Sequence, residues 1–262
     1  MSGGFFDRLD NEIDAKDSLV CVGLDPVPSR IPEGVGIAEF NRRIIDATSD
    51  IAVAYKPNAA FYEALGVDGW HTLLETVEEA SAAAPVILDA KRGDIGHSSR
   101  RYAELLDTAD AITVSPYMGT DSVRPFLDRD DAGVFVLCKT TNEGSADIQD
   151  LEADEKPVYA HVAERAVDWN AVNENVGLVV GATHPDEMEE VRGYADDLPF
   201  LVPGIGAQGG DVEAAVEHGT DSDGVGLVNS TRSIIYASDG ENFDGAAREA
   251  ARSLRATLNE YR

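Results

Sequence analysis

PVILDAK (residues 85–91) is a short run of apolar and β-branched residues that breaks into charge at its carboxyl end, and the chain carries eight runs of this kind. The others occupy residues 19–26, 53–58, 111–116, 133–140, 176–183, 200–205 and 224–230. Each ends in a polar or Gly/Pro cluster and is followed by a stretch with helical spacing, which reads as strand then helix. Strict βα alternation builds a parallel sheet with right-handed crossovers, and eight units is the number that closes a barrel. The expected fold is α/β: a (β/α)8 TIM barrel, one domain over residues 1–262, with an extra helix before the first strand. An open doubly wound sheet is the alternative. Helices are expected to begin near Ala38, Gly69, His97, Asp121, Lys156, Pro185, Asp211 and Phe243. The acidic segment 142–156, after the fifth run, is a candidate mobile loop.

At 262 residues and 43% hydrophobic content the chain is sized for one barrel, which typically takes about 250 residues. It has 21 Lys+Arg against 49 Asp+Glu, a net charge of −28. Such a surface repels phosphate backbones and anionic headgroups, so neither nucleic acid nor membrane is an expected partner. The carboxylates are scattered through every segment, which reads as general solvation and not as a docking tail. Their self-repulsion is largely screened in ~1 M salt, where the Debye length is about 3 Å, and this points to a salt-adapted cytoplasm. Cys21 and Cys138 both sit in apolar runs and read as core thiols of a reducing compartment. The start, MSGGFFDRLDNEIDAKD, has no continuous apolar stretch, so neither secretion nor membrane insertion is expected.

In a barrel of this type, chemistry belongs to the carboxyl ends of the strands and the loops after them. The polar residues falling there are Asp25, Lys56, Asn58, Asp89, Lys91, Asp94, Thr140, Thr141, Gln208 and Arg232. Side chains alternate along a strand, so Asp89 and Lys91 share a face that can point into the barrel mouth, with Asp94 just beyond. A lysine held between carboxylates stays protonated and acts as an ammonium acid, not as an amine nucleophile. A capping ion pair is the plainer reading of DAKRGD alone. Lysine usage shifts the balance, because of the five lysines in the chain three, Lys56, Lys91 and Lys139, sit at strand ends. PGIGAQGGD (residues 203–211) matches GxGxxG but follows the seventh strand, where barrels bind phosphate on backbone N–H groups. Arg232 begins the next loop and offers a forked contact to the same anion. The five histidines show no metal-ligand spacing and there is no GxSxG elbow, so no metal site and no serine nucleophile are expected.

Taken in order, GLDP (23–26), KPNAAFYE (56–63), LDAKRGDIG (88–96), KTTNEGS (139–145), VGAT (180–183), PGIGAQGGD and STRSIIYA (230–237) resemble the orotidine 5′-phosphate decarboxylase family, in the branch whose central motif reads DAKRGDIG. The resemblance runs the length of the chain. It implies decarboxylation of orotidine 5′-monophosphate (OMP) to uridine 5′-monophosphate (UMP) without metal or cofactor, in the cytoplasm, and a halophilic archaeal source. It also implies that Lys91 donates a proton to C6 of the pyrimidine within a charged network of Lys56, Asp89, Lys91 and Asp94. Asp94 and Ile95 would cross a homodimer interface; Asp25 and Lys56 would meet the ribose, Thr141 the base, and Gln208, Gly209 and Arg232 the phosphate. Thr141 departs from the expected Ser, and Ser115 from the more usual Asn. Two alternatives stand beside this: a related metal-dependent phosphosugar barrel, and a non-catalytic barrel that senses pyrimidine nucleotides.

The charge balance makes one prediction. Circular dichroism from low to multimolar KCl is expected to show the fold gained or held as salt rises and lost as salt is removed; loss of structure on adding salt would contradict a salt-adapted surface.

Overall fold

A computed structural model describes residues 3–205 and 210–262. The eight apolar runs form eight parallel strands: β1 (Val20–Leu24), β2 (Ala54–Pro57), β3 (Ile87–Arg92), β4 (Ala111–Val114), β5 (Gly133–Lys139), β6 (Val176–Val180), β7 (Phe200–Pro203) and β8 (Leu227–Ser230). Their hydrogen-bonded order is β2-β1-β8-β7-β6-β5-β4-β3. The two ends of that order meet through single parallel bridges, Tyr55 with Val86 and Asn58 with Asp89, which close the barrel. Every residue of β1, β4 and β6 is buried, as expected for strands covered on both faces.

The strands end earlier than the apolar runs do. Residues 25–26, 116 and 183 become the loops of the barrel mouth, while Ser115, Gly181 and Ala182 each still donate an N–H to the neighbouring strand. The covering helices are α1 (Phe5–Lys16), α2 (Ile37–Thr48), α3 (Ala59–Glu63), α4 (Gly66–Ser81), α5 (Gly96–Ala103), α6 (Thr120–Leu127), α7 (Val158–Asn170), α8 (Pro185–Tyr194), α9 (Val212–Glu217), α10 (Arg232–Ile235) and α11 (Phe243–Leu258). Most start within a residue or two of the expected positions. Two short helices, α3 and α10, were not expected: five and four residues are too few to display an apolar period.

Segment 142–156 is more ordered than its acidity suggests. It makes a 3-10 turn at Glu143–Asp147, and Glu152–Ala153 pairs antiparallel with Lys156–Pro157. Gln149 ties it to the barrel, accepting from the Thr140 N–H at 3.0 Å and donating to the Thr140 hydroxyl at 2.9 Å. The buried Lys139 ammonium pairs with Asp150. Lys139 is therefore a structural lysine that anchors this loop.

The extra helix closes the opposite end. In α1, Phe5, Leu9 and Ile13 recur every four residues and are all buried, one apolar stripe at helical spacing. Phe5 meets Phe135 edge-on with ring centroids 5.9 Å apart, and Phe6 meets the same ring at 5.7 Å. A Cβ on Gly133 would sit 2.4 Å from the Phe5 ring, so the first residue of β5 has to be glycine for the plug to seat. Lys16 donates to the carbonyls of Ala52 at 2.8 Å and Ala83 at 3.1 Å, fastening the other end of α1.

Because the plug and the mouth lie at opposite ends, stability and activity separate. Phe5→Ala is expected to cost about 3 kcal/mol, in the range for emptying a buried aromatic site, measured by chemical denaturation in high salt. Turnover per folded molecule is expected to stay unchanged.

Candidate active site

β3 carries the centre of the site, and it is not a regular strand there. Leu88 pairs with Ile112 and Arg92 with Val114, so four steps along β3 oppose two along β4. Lys91, inside this bulge, has φ +47°, a left-handed conformation that costs a non-glycine residue about 1 kcal/mol or more. Asp89 and Lys91 do come to the same place, as expected, but through a bulge and not through simple alternation.

Thr113 on β4 fills the gap. Its hydroxyl accepts from the Lys91 N–H at 2.9 Å and donates to Asp89 Oδ1 at 2.9 Å. One buried side chain thus fixes both the strained backbone and the carboxylate. Sequence reasoning passed over it, since a threonine inside a β-branched strand reads as a strand former.

Asp89 is 8% exposed and accepts from two lysines, Lys91 Nζ at 2.5 Å and Lys56 Nζ at 3.1 Å. Burial by itself would raise the Asp89 pKa, but the two ammonium groups outweigh it and hold the carboxyl well below its ordinary range. Burial would likewise depress the Lys56 pKa. Asp89 and Asp25 reverse that and hold the ammonium above its usual value. Lys56 is 5% exposed, whereas the Lys91 side chain is 48% exposed. One lysine is locked in the wall, and the other reaches into the mouth.

Two cavities open on this network and share Lys56, Asp89 and Pro203. One, about 400 Å³, has an apolar floor of Leu137, Val179 and Leu201, with Lys91, Thr140 and Thr141 on its walls. The other, about 410 Å³, holds Asp25, Arg30, Asn58, Asn229, Arg232 and Tyr236 among its lining. Together they form one two-lobed cleft, one lobe flat-floored and partly apolar, the other bordered by guanidinium groups.

The expected residues fall as follows. Asp25, Lys56, Asp89, Lys91, Thr141 and Arg232 line the cleft. Gln208 and Gly209 lie outside the described residues. Asp94 and Ile95 line neither lobe of their own chain. Asp94 accepts from the Ile95 N–H at 2.7 Å, and Lys91 has Asp89 as its carboxylate partner among the described residues. The expected second carboxylate, Asp94, does not meet Lys91 within this chain. The methyl that distinguishes Thr141 from serine has its own space, since a Cβ on Gly181 would come within 2.4 Å of Thr141 Cγ2.

Two buried acceptors in the second lobe lack partners among the described residues, Asp25 Oδ1 and Asn229 Oδ1. Burial raises the Asp25 pKa, against the opposing pull of Lys56. An acceptor kept from water without a donor is costly. Asn229 had no sequence signal beyond its position at a strand end, inside an otherwise apolar run.

A cleft of this shape and charge can be compared with known proteins. A family model described as Orotidine 5′-phosphate decarboxylase / HUMPS family matches residues 18–243. The orotidine 5′-phosphate decarboxylase of Halobacterium salinarum is 57% identical over 267 residues, covering 98% of this chain and 99% of the relative. That of Dehalococcoides mccartyi is 46% identical over 98% of each. Among solved structures, Leishmania donovani OMP decarboxylase superposes with a TM-score of 0.86 at 43% identity, covering 98% of both chains. With the family model, the full-length relatives and the superposed barrel agreeing, the chain belongs to the orotidine 5′-phosphate decarboxylase / HUMPS family.

Proposed function

We propose that this protein decarboxylates orotidine 5′-monophosphate to uridine 5′-monophosphate without metal or organic cofactor, with Lys91 as the acid that protonates C6. The observation that carries this reading is the Lys56–Asp89–Lys91 network placed where the two lobes of the cleft join. A pyrimidine suits the apolar-floored lobe. A ribose and phosphate suit the lobe bordered by Asp25, Asn229 and Arg232. The full-length relatives carry the same activity in their names.

In the proposed step the bond from C6 to the carboxylate breaks, carbon dioxide leaves, and the electron pair stays on C6. The Lys91 ammonium stabilises that charge in a preorganised position and then gives C6 its proton. The neutral amine recovers a proton from solvent, which its half-exposed side chain can reach. Asp89 holds Lys91 in line and lies beside the place where the substrate carboxylate would sit. Lys56 and Asp25 would grip ribose hydroxyls, Thr141 the base, and Arg232 with Gln208 and Gly209 the phosphate. LDAKRGDIG supports a place in the branch whose central motif reads DAKRGDIG, and the two free buried thiols suit a reducing cytoplasm. Among the described residues no helix is long and apolar enough to cross a membrane.

The catalytic unit is proposed to be a homodimer in which Asp94 and Ile95 reach the partner's cleft. Ile95 is exposed, as are Tyr117 and Met118 on the loop after β4. The two loops run side by side, since a Cβ on Gly93 would lie 3.2 Å from the Ser115 carbonyl oxygen. An exposed apolar cluster of this kind is what a self-complementary interface covers.

Loss of OMP absorbance in high salt with a chelator present is expected to be rapid for the wild type and abolished in Lys91→Ala. Activity that requires added divalent metal would instead indicate the phosphosugar branch, and tight OMP binding without turnover would indicate a sensor. For the shared site, Lys91→Ala and Asp94→Ala are each expected to be inactive alone and to regain activity when mixed and allowed to exchange subunits. A mixture that stays inactive, with exchange verified, would place Asp94 in its own chain's site.

A further inference from the structure

Acids outnumber bases 49 to 21 in this chain, so a cation without an acidic neighbour has not been left alone by scarcity. Among the described residues nearly every basic side chain is engaged. Arg192 donates to the carbonyls of Ala195, Asp196, Leu198 and His218. Arg100 hydrogen-bonds Nδ1 of His97, and Arg255 donates to the Lys16 carbonyl. The side chains of Arg30 and Arg232 alone make neither hydrogen bond nor ion pair among the described residues, and both line the same lobe of the cleft.

Arg30 is also held in place. It ends a 3-10 turn, Pro28–Arg30, with its N–H bonded to the Val27 carbonyl at 2.8 Å. Its guanidinium lies over the Tyr236 ring at 3.9 Å from the centroid. That ring is fixed in turn: Tyr236 Oη accepts from the Val27 N–H at 2.5 Å and donates to the Asp25 carbonyl at 3.2 Å. Stacking occupies one face of the guanidinium and leaves its edge, with the N–H donors, free for an anion.

We propose that Arg30 is a second phosphate ligand, gripping the 5′-phosphate of the bound nucleotide from the β1–α2 loop while Arg232 grips it from the start of α10. This rests on the nucleotide reading above and adds a residue to it. Two guanidinium groups match the roughly −2 charge of a phosphate monoester at neutral pH. The pairing has a use in concentrated salt, where long-range attraction is screened over about 3 Å and direct forked contacts must supply the selectivity.

The test is calorimetric titration of UMP and of uridine into the wild type, Arg30→Ala and Arg30→Lys in high salt, with OMP turnover followed alongside. Arg30→Ala is expected to weaken UMP binding about tenfold, or about 1.4 kcal/mol, to leave uridine within a factor of two, and to raise KM more than it lowers kcat. Arg30→Lys, which keeps the charge, is expected to recover part of the UMP affinity and to leave uridine binding unchanged. Equal losses for UMP and uridine would mean that Arg30 only props Tyr236 and its loop, and would overturn the proposal. So would an unchanged preference for UMP. Failure of the decarboxylase reading shows separately, as a wild type that does not consume OMP.

Discussion

A buried carboxylate that stays ionised needs cations at contact distance, and Asp89 has two of them from different directions. Lys56 comes from β2 and Lys91 from β3 itself, while Thr113 on β4 adds a neutral hydrogen bond. Three neighbouring strands are thereby tied at one point of the mouth. The closing seam of the barrel passes through the same point, since the Asn58–Asp89 bridge joins β2 to β3. Removing the buried Lys56 would leave carboxylate charge poorly compensated in a low-dielectric wall, a defect typically worth about 3–5 kcal/mol. The network is thus as much a condition for closing the barrel as it is the proposed reactive centre.

The same point stores the strain. Lys91 sits in a left-handed conformation within a bulge, and the surrounding strands over-determine it, as is usual where strain serves a site. A regular β3 would alternate past the mouth and set the ammonium by strand pleat alone. The bulge shifts control to Thr113, whose two hydrogen bonds lock backbone and carboxylate together. Rigid support from packed strands, with a half-exposed ammonium at the tip, is the arrangement that electrostatic preorganisation requires.

Sequence legibility followed the physical range of each signal. Eight apolar runs and the helices between them were readable because each spans enough residues to show a period, and an extra helix before β1 was expected, though not that Phe5, Leu9 and Ile13 would make it a plug. Asp89, Lys91, Lys56, Asp25, Thr141 and Arg232 were readable because charge or hydroxyl at the end of an apolar run is conspicuous. Thr113, Asn229 and Arg30 were not. The first is disguised as a strand former, the second is a neutral residue in an apolar run, and the third lies in a surface-looking loop where only the stack on Tyr236 gives it a purpose. The ordering of segment 142–156 was equally hidden, because it depends on Lys139 meeting Asp150 and not on local pattern.

Charge organises the protein on two scales that oppose each other. Over the whole chain the balance is −28, which disfavours approach of an anionic nucleotide at low ionic strength. Inside the cleft the lining carries four cations, Arg30, Lys56, Lys91 and Arg232, against two carboxylates, Asp25 and Asp89. The local sign is therefore positive where the global sign is negative. Salt resolves the conflict in favour of the cleft: screening removes the diffuse repulsion first, because it acts across many Debye lengths, and spares contacts shorter than one. An acidic surface and a cationic cleft can then coexist, the surface keeping the protein hydrated and the cleft selecting its substrate by contact. That division fits two arginines of the cleft, Arg30 and Arg232, having no side-chain hydrogen bond or ion pair among the described residues while nearly every other base there is tied to an acid or a carbonyl.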